Sequence, residues 1–208
     1  GGPIISSDCY SGKRIFDILK TFDHYFSENY KSVKLKITPA LFSQQPTDLL
    51  EYALERLGYQ RHTELSSYIP LKKETDPIEF CDQKCRRIIR KIDTETLEYR
   101  DFKTAEDFEH FFHFLKISKA KYGVSPVHTL DELLDLKNNR IPDNIRFRGL
   151  WQNGIFVAAI MFFVFPKTNC IHAQYIATNP DFKILQPGTA IYIHTIREAA
   201  KEGFQNIS

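Results

Sequence analysis

The chain has 208 residues and a mass of 24.3 kDa, which is enough for one large domain or two small ones. Its 42% hydrophobic and 26% charged residues exclude a wholly disordered protein, and its net charge of +2 excludes a strongly basic nucleic-acid binder. The longest apolar run, residues 155–165, is too short for a membrane-spanning helix. Four scattered cysteines form no disulfide framework, so we expect reduced thiols and a cytoplasmic protein.

The first part of the chain combines helical and strand patterns. Apolar residues recur at helical spacing over residues 13–30 and predict an amphipathic helix. Residues 33–37 alternate apolar side chains with lysines, which predicts a strand with one exposed face. A second helix ends at Gly58, and residues 59–71 favour β-structure.

A cationic helix is predicted to follow. Asp76 supplies a cap, Pro77 suits the first helical position, and Glu79 can complete a capping box, so the helix should begin at residue 76 and extend to about residue 92. Five cations lie in this helix: Lys84, Arg86, Arg87, Arg90 and Lys91. Such a cluster is typical of a solvated helix face, and the alternative is contact with a phosphate-bearing ligand.

The order of elements after residue 97 is the most informative feature. Thr104 and Thr129 begin capping boxes, and Asn153-Gly154 is typical of a two-residue hairpin turn. The predicted elements are strand 97–102, helix 104–122, short helix 129–136, strands 145–151, 155–165 and 170–177, helix 188–202, and a last strand after Gly203.

This order resembles that of GNAT-type N-acyltransferases. In GNAT proteins the loop before the last of these helices carries Arg/Gln-x-x-Gly-x-Gly/Ala; here Gly188 and Ala190 match, Leu185 replaces the Arg or Gln, and Pro187 lacks an N–H group. The resemblance implies that the loop binds the pyrophosphate of acyl-CoA or acetyl-CoA at a helix N-terminus. The donor-binding residues that it implies are Ile176, Ala177, Leu185, Gln186, Gly188, Thr189 and Ala190.

Three further segments, residues 36–39, 126–129 and 172–177, resemble double-GNAT proteins related to the Fem-type peptidyltransferases. The resemblance implies an α+β (α/β) fold: a mixed, mainly antiparallel sheet flanked by helices, in two GNAT-like halves. Residues 1–75 would be the trailing part of the first half, and residues 76–208 a linking helix with the leading part of the second. Each half would be incomplete, so we expect a fragment of a longer protein.

Acyl transfer to an amine needs a group that takes the amine proton and donors for the carbonyl oxygen. Strict alternation along residues 170–177 places His172 and Gln174 on one strand face and Tyr175 on the other. His172 and Gln174 would then hold or deprotonate the acceptor, or Tyr175 would donate from the opposite side. An alternative is that His172 and Gln174 are solvent-facing strand residues without a catalytic role.

Other histidines and cysteines have simpler interpretations. His128 is expected to support the turn before a helix, and His194 with Glu198 to form a solvated or interface pair one helical turn apart.

Two pairs have the spacing of metal ligands, His110 with His113 and Cys81 with Cys85. A closed zinc site needs four ligands and nothing at familiar spacing completes one, so we expect no metal.

The expected function is therefore N-acyl transfer, similar to that of an N-acetyltransferase. An acetyl or aminoacyl group would pass from acyl-CoA or aminoacyl-tRNA to a small-molecule or peptide amine by direct attack, without a covalent enzyme intermediate. The tRNA is included as a donor carrier because Fem-type relatives use it. The alternative is a non-catalytic binding module on a degenerate GNAT scaffold, which Leu185 and Pro187 favour.

Overall fold

The computed structural model describes residues 2–73 and 76–208, and the chain divides into two compact units, Gly1–Ser66 and Ser67–Ser208. The domain boundary predicted after residue 75 lies outside the described residues and stays a prediction. Within the two described ranges, no helix is both long enough and apolar enough to cross a membrane.

The first unit is built on two helices, α1 (Gly12–Asn29) and α2 (Asp48–Arg56). Both helices were predicted from their apolar spacing, and both bury that face in one shared cluster. The buried members of the cluster are Ile15, Leu19, Leu50, Ala53 and Leu54.

The strand predicted at residues 33–37 is wrong. This segment is extended but has no neighbouring strand among the described residues of its unit, so no hydrogen-bond ladder forms. The alternating apolar residues Leu35 and Ile37 pack against the helical cluster instead. Between them, Lys36 forms an ion pair with Glu64 at 3.1 Å. Of the β-prone residues 59–71, only two form a strand.

The second unit contains a six-stranded sheet. The strands are β1 (Ile69–Pro70), β2 (Glu98–Asp101), β3 (Ile145–Gln152), β4 (Ile155–Phe165), β5 (Cys170–Thr178) and β6 (Asn206–Ile207). Their order in the sheet is β1-β6-β5-β4-β3-β2. All neighbouring strands are antiparallel except β5 and β6, which are parallel and joined through a helix. The predicted mixed, mainly antiparallel sheet is confirmed.

The hairpin between β3 and β4 turns at Asn153 and Gly154, as predicted. Their φ angles of 52° and 77° are both positive, which suits a turn whose twist matches that of the flanking strands. β4 is an almost continuous apolar run because helices cover both faces of the sheet at its centre.

Four helices cover this sheet: α3 (Gln83–Ile92), α4 (Ala105–Ala120), α5 (Leu130–Asp135) and α6 (Pro187–Glu202). On one face, α3 and α6 pack in a cluster that includes Ile89, Ile160 and Ile191, which we call the α6-side cluster. On the other face, α4 and α5 pack in a cluster that includes Phe111 and Met161, which we call the α4-side cluster.

The single helix predicted from residue 76 is wrong in its start. Asp76 does act as a cap, since its carboxylate accepts from the Ile78 N–H at 3.0 Å, but it caps only the 3-10 turn Pro77–Phe80. The chain is extended at Cys81, and Asp82 then caps α3 by accepting from the Cys85 N–H at 2.7 Å. A second capping residue therefore starts the helix six residues later.

The predicted capping box of α4 is confirmed and is reinforced by an ion pair. Thr104 and Asp107 accept each other's backbone N–H groups. Asp107 is only 4% exposed, and the Arg100 guanidinium donates to both of its carboxylate oxygens at 3.0 and 3.1 Å. A carboxylate at a helix N-terminus is also favoured by the helix dipole.

Candidate active site

A β-bulge in β5 is the central feature of the candidate site. The register pairs Met161 with Tyr175 and Phe162 with Ala173, so Gln174 is an extra residue without a partner on β4. A bulge leaves the extra residue out of the ladder and increases the local twist. β6 pairs with β5 at Cys170 and Ile171, and the Ala173 N–H donates to the Ser208 carbonyl at 2.8 Å, so this pairing lies before the bulge.

The bulge changes which side chains share a face, and the predicted strict alternation is wrong beyond Gln174. Ala173 and Ile176 both pack against the α6-side cluster, although they are three residues apart. Tyr175 belongs to the α4-side cluster, and His172 lies opposite Phe163, which packs there as well. His172 and Tyr175 therefore lie on the same face of the sheet rather than on opposite faces.

His172 is half-buried, and its Nδ1 lies 3.3 Å from the Ser208 hydroxyl. Burial lowers the pKa of the His172 imidazole because it penalises the charged form, while a hydrogen bond with Gln174 acts in the opposite direction with less effect. A neutral imidazole is the form that can accept a proton.

Tyr175 is 4% exposed, and its hydroxyl lies 2.8 Å from Nδ1 of His128. The two rings are edge-to-face with centroids 5.9 Å apart, and the Lys119 amino group lies 5.6 Å from the centre of the tyrosine ring. His128 precedes the Thr129 cap of α5, so its predicted position at a turn holds. The sequence contains no signal for its contact with a strand residue 47 positions away.

The loop between β5 and α6 is anchored on β4 by Asn179. The Asn179 N–H donates to the Val157 carbonyl at 2.9 Å, and its side-chain amide donates to the Phe156 carbonyl at 2.9 Å. Its side-chain oxygen accepts from the Asp181 N–H at 3.0 Å. These bonds hold both ends of the first loop turn, so the start of α6 has a defined position beside β5.

The first turn of α6 has free donors. Gln186 precedes the helix with a φ of 48°, and no side chain caps the N-terminus among the described residues. Pro187 has no N–H group and the Ala190 N–H donates to the Gln186 carbonyl, which leaves the N–H groups of Gly188 and Thr189 as helix N-terminal donors. A Cβ added at Gly188 would meet only the Thr178 methyl at 3.7 Å, so neither packing nor backbone geometry requires glycine there.

The other predicted donor-binding residues are divided between surface and core. Ala177 and Ala190 are fully buried, so their side chains offer no surface to a ligand. Leu185 packs against the α6-side cluster and borders a small cavity with Gln186 and α3. Gln186 is exposed.

Behind this loop, α6 is tied to the sheet by a polar network. The Tyr99 hydroxyl lies 3.1 Å from a Glu198 carboxylate oxygen, which also accepts from Arg148 Nε at 2.8 Å. Burial raises the pKa of the Tyr99 hydroxyl. The predicted pairing of His194 with Glu198 is wrong, because His194 stacks on Tyr99 instead, with centroids 5.5 Å apart. The network thus positions α6 rather than forming a second catalytic pair.

The two pairs with metal-ligand spacing, His110 with His113 and Cys81 with Cys85, are not part of a larger cluster of potential ligands among the described residues. Across the described residues, no group of three or more His, Cys, Asp or Glu side chains could hold a metal ion. His113 stacks edge-to-face on Phe114 at 5.0 Å, and His110 lies 5.8 Å from Phe156, so both histidines are in contact with aromatic side chains.

The comparisons with known proteins identify the class. Residues 80–208 match the acetyltransferase (GNAT) domain family, and because this is more than half of the sequence, the chain belongs to that family. No curated protein matches the sequence significantly. The chain is thus an acyltransferase by family, and the predicted GNAT resemblance is confirmed.

Two solved structures share the fold along nearly the whole chain. FemX superposes with a TM-score of 0.69 at 8% identity, covering 95% of this chain and 67% of FemX. The C-terminal domain of a putative lysylphosphatidylglycerol synthetase from Agrobacterium fabrum superposes with a TM-score of 0.60 at 9% identity, covering 95% of this chain and 60% of that domain. The chain therefore spans about two thirds of each structure, and the predicted Fem-related fold is confirmed.

Proposed function

We propose that this chain transfers an acyl group from a phosphate-bearing carrier to an amine, at the bulge in β5. The observation that carries the proposal is the juxtaposition of the bulge in β5 with the uncapped N-terminus of the next helix. A ligand can bond to the bulged strand while its phosphates bind the helix N-terminus.

The donor side is suited to phosphate. The N–H groups of Gly188 and Thr189 supply hydrogen bonds, the dipole of the 16-residue α6 favours an anion, and the missing Cβ of Gly188 leaves room for close approach. Leu185 adds no cation, so binding would rest on backbone groups. Acyl-CoA, acetyl-CoA and aminoacyl-tRNA all present a reactive acyl group on a phosphate-bearing carrier.

The side chains of His172, Tyr175 and His128 would move the protons of the reaction. In the proposed reaction the amine nitrogen bonds to the acyl carbon, the carbonyl oxygen accepts from the backbone N–H of Gln174, the extra residue of the bulge, and the bond to the carrier's sulfur or oxygen breaks. His172, kept neutral by burial, takes the proton that the amine loses. The Tyr175 hydroxyl donates a proton to the leaving atom and is reprotonated through His128.

The acceptor is proposed to be a small molecule or a peptide with a free amine, as the predicted function requires. Cys9, Cys81 and Cys85 are free thiols, which supports the proposal that the chain works in the cytoplasm.

The test has two stages on the 208-residue chain. Thermal unfolding is measured with acetyl-CoA, longer acyl-CoAs and aminoacyl-tRNA, because a ligand at 100 times its Kd stabilises by about 2.7 kcal/mol. The stabilising donor is then mixed with amino acids, amino sugars and peptides, and products are identified by mass. We expect one donor class to stabilise the chain and one amine class to be acylated. Absence of stabilisation by every donor would overturn the proposal.

A further inference from the structure

The exposed side of α3 carries the strongest local charge in the second unit. At 100° per residue, Arg87, Arg90 and Lys91 lie opposite the side formed by Cys85, Ile89 and Ile92, which pack toward the core. Lys84 and Arg86 lie on the two flanks. The helix contains no acidic residue, and within the described ranges none of the five pairs with a carboxylate. We call this surface the α3 cationic face; its members are Lys84, Arg86, Arg87, Arg90 and Lys91.

A groove of about 450 Å³ lies along this face. Its one acidic lining residue, Asp82, is engaged as the cap of α3. The Arg86 guanidinium is held in place by donating to the carbonyls of Cys81 and Glu79, both at 2.7 Å. Phe80 precedes Cys81, which lines the groove, and is 68% exposed. The surface therefore combines a partly preorganised cationic groove with an exposed aromatic ring next to it in the chain.

The dimensions favour a chain of phosphates over a single one. The groove-lining cations Arg86, Arg87 and Arg90 span about 6 Å of helix rise, a length over which a nucleic-acid strand at about 3.4 Å per nucleotide presents about two phosphates. A basic groove next to an exposed aromatic ring is the arrangement that binds single strands, because phosphates pair with the cations and a base stacks on the ring. A membrane-binding helix would instead expose its apolar side, which α3 buries.

We propose that the α3 cationic face binds the backbone of a single-stranded nucleic acid, with Phe80 as the stacking platform for a base. The site is separate from the acyl-transfer chemistry proposed above and does not depend on it.

The experiment measures fluorescence anisotropy of a labelled single-stranded RNA of about 12 nucleotides, without any acyl group, over a series of salt concentrations. We expect Arg87→Glu/Arg90→Glu to weaken binding by about tenfold or more and to reduce the slope of log K against log salt by about 1.4, for two lost contacts. Phe80→Ala should weaken binding about fivefold with the slope unchanged. A milder variant, Arg87→Gln/Arg90→Gln, should reduce the slope similarly and guards against misfolding of the charge reversal.

The matched control is Lys167→Glu/Lys201→Glu, which makes the same charge change at two exposed lysines of the second unit. We expect it to change affinity by about twofold at most, through screened long-range charge. Equal losses in the control and the α3 variants would overturn the proposal, and so would binding of anionic vesicles but not RNA, or full displacement of RNA by coenzyme A. Because the RNA carries no acyl group, its binding is independent of whether the chain transfers acyl groups.

Discussion

The hydroxyl of Tyr175 lies 2.8 Å from Nδ1 of His128, although the two residues are 47 positions apart in the chain. Two local features create this contact. The bulge at Gln174 turns Tyr175 toward the α4-side cluster, and the capping box of α5, between Thr129 and Glu132, holds the loop that carries His128. A tyrosine and a histidine in this geometry can exchange a proton as one unit.

We therefore expect Tyr175→Phe and His128→Gln each to lower kcat of acyl transfer by about 100-fold, the size of a lost proton-transfer step. The double variant should be little slower than either single one, because the residues act together. Steady-state rates with the donor and acceptor found in the screen provide the measurement. His110→Gln, on α4 but away from Tyr175, is the control, and single variants with unchanged kcat would remove the pair from the mechanism.

The glycine of the donor loop allows folding and binding to be separated. Gly188→Ala has room for its methyl group, so unfolding in urea should show unchanged or slightly higher stability, by up to about 1 kcal/mol. If phosphate approaches this backbone, the same variant should weaken donor binding about tenfold in calorimetry. The control is Gly12→Ala, at the start of α1, where no atom lies within 4 Å of the added Cβ. It should leave donor affinity unchanged and alter the free energy of unfolding by no more than about 1 kcal/mol. Equal donor affinity in both variants would argue against phosphate at α6.

Local sequence signals predicted most of the second unit. The Asn153-Gly154 turn, the caps of α4 and α5 and the apolar strands depend on neighbours close in the chain, and all are found as predicted. The start of α3 was missed for a local reason, the second cap at Asp82, whereas the other errors depend on partners distant in the sequence. Residues 33–37 have strand alternation but no neighbouring strand to complete a ladder.

The candidate site shows the same limit. His172 and Tyr175 were predicted from their strand, yet their shared face follows from one unpaired residue that alternation cannot reveal. His128 was predicted as a turn residue, and only tertiary packing brings it to Tyr175. His194 was paired with Glu198 by helical spacing, whereas Tyr99 lies between strand and helix and contacts both.

Asp107 should make folding sensitive to acid. Burial alone would raise the pKa of the Asp107 carboxyl, but hydrogen bonds from Arg100 and from the N–H groups of Lys103 and Thr104 outweigh it and lower the pKa below its ordinary 3.8. The charged form is thus favoured in the folded state, and its stabilisation is full above about pH 4 and is lost as pH falls through the lower pKa. Asp107→Asn should cost about 3 kcal/mol of unfolding free energy at neutral pH.

This difference between wild type and Asp107→Asn should shrink as pH falls below 3.8, which urea unfolding across an acid series measures. Asp143→Asn, at an exposed position, is the control and should alter stability by less than about 0.5 kcal/mol. A constant difference at all pH values would mean that the Asp107 charge is unimportant.

His172 should make the stability of the fold depend on pH closer to neutrality than Asp107 does. Its pKa is lowered by burial, so the unfolded chain takes up a proton at a higher pH than the folded chain does. Stability is therefore expected to fall as pH drops from about 6.5 to the lower folded pKa, and His172→Gln should flatten part of this slope. Urea unfolding of wild type and His172→Gln at about pH 7.5 and pH 5 measures this difference in free energy of unfolding. His194 contributes with the same sign, because burial and then Arg197 lower its pKa, so a residual slope should remain.

The bulge itself depends on the number of residues in β5 more than on the Gln174 side chain. Gln174→Ala keeps the extra residue, and since the side chain is only half-buried we expect a loss of about 1 kcal/mol or less. Deleting Gln174 makes Ala173 and Tyr175 consecutive, like their partners Phe162 and Met161, so Tyr175 and Ala177 keep their face while the bulge is lost. The deletion should therefore cost no more than about 2 kcal/mol, yet it should lower kcat of acyl transfer by about 100-fold because the proposed N–H donor to the carbonyl oxygen is removed. Urea unfolding and steady-state rates compare the two variants, and an unchanged kcat in the deletion variant would show that the bulge has no part in the reaction.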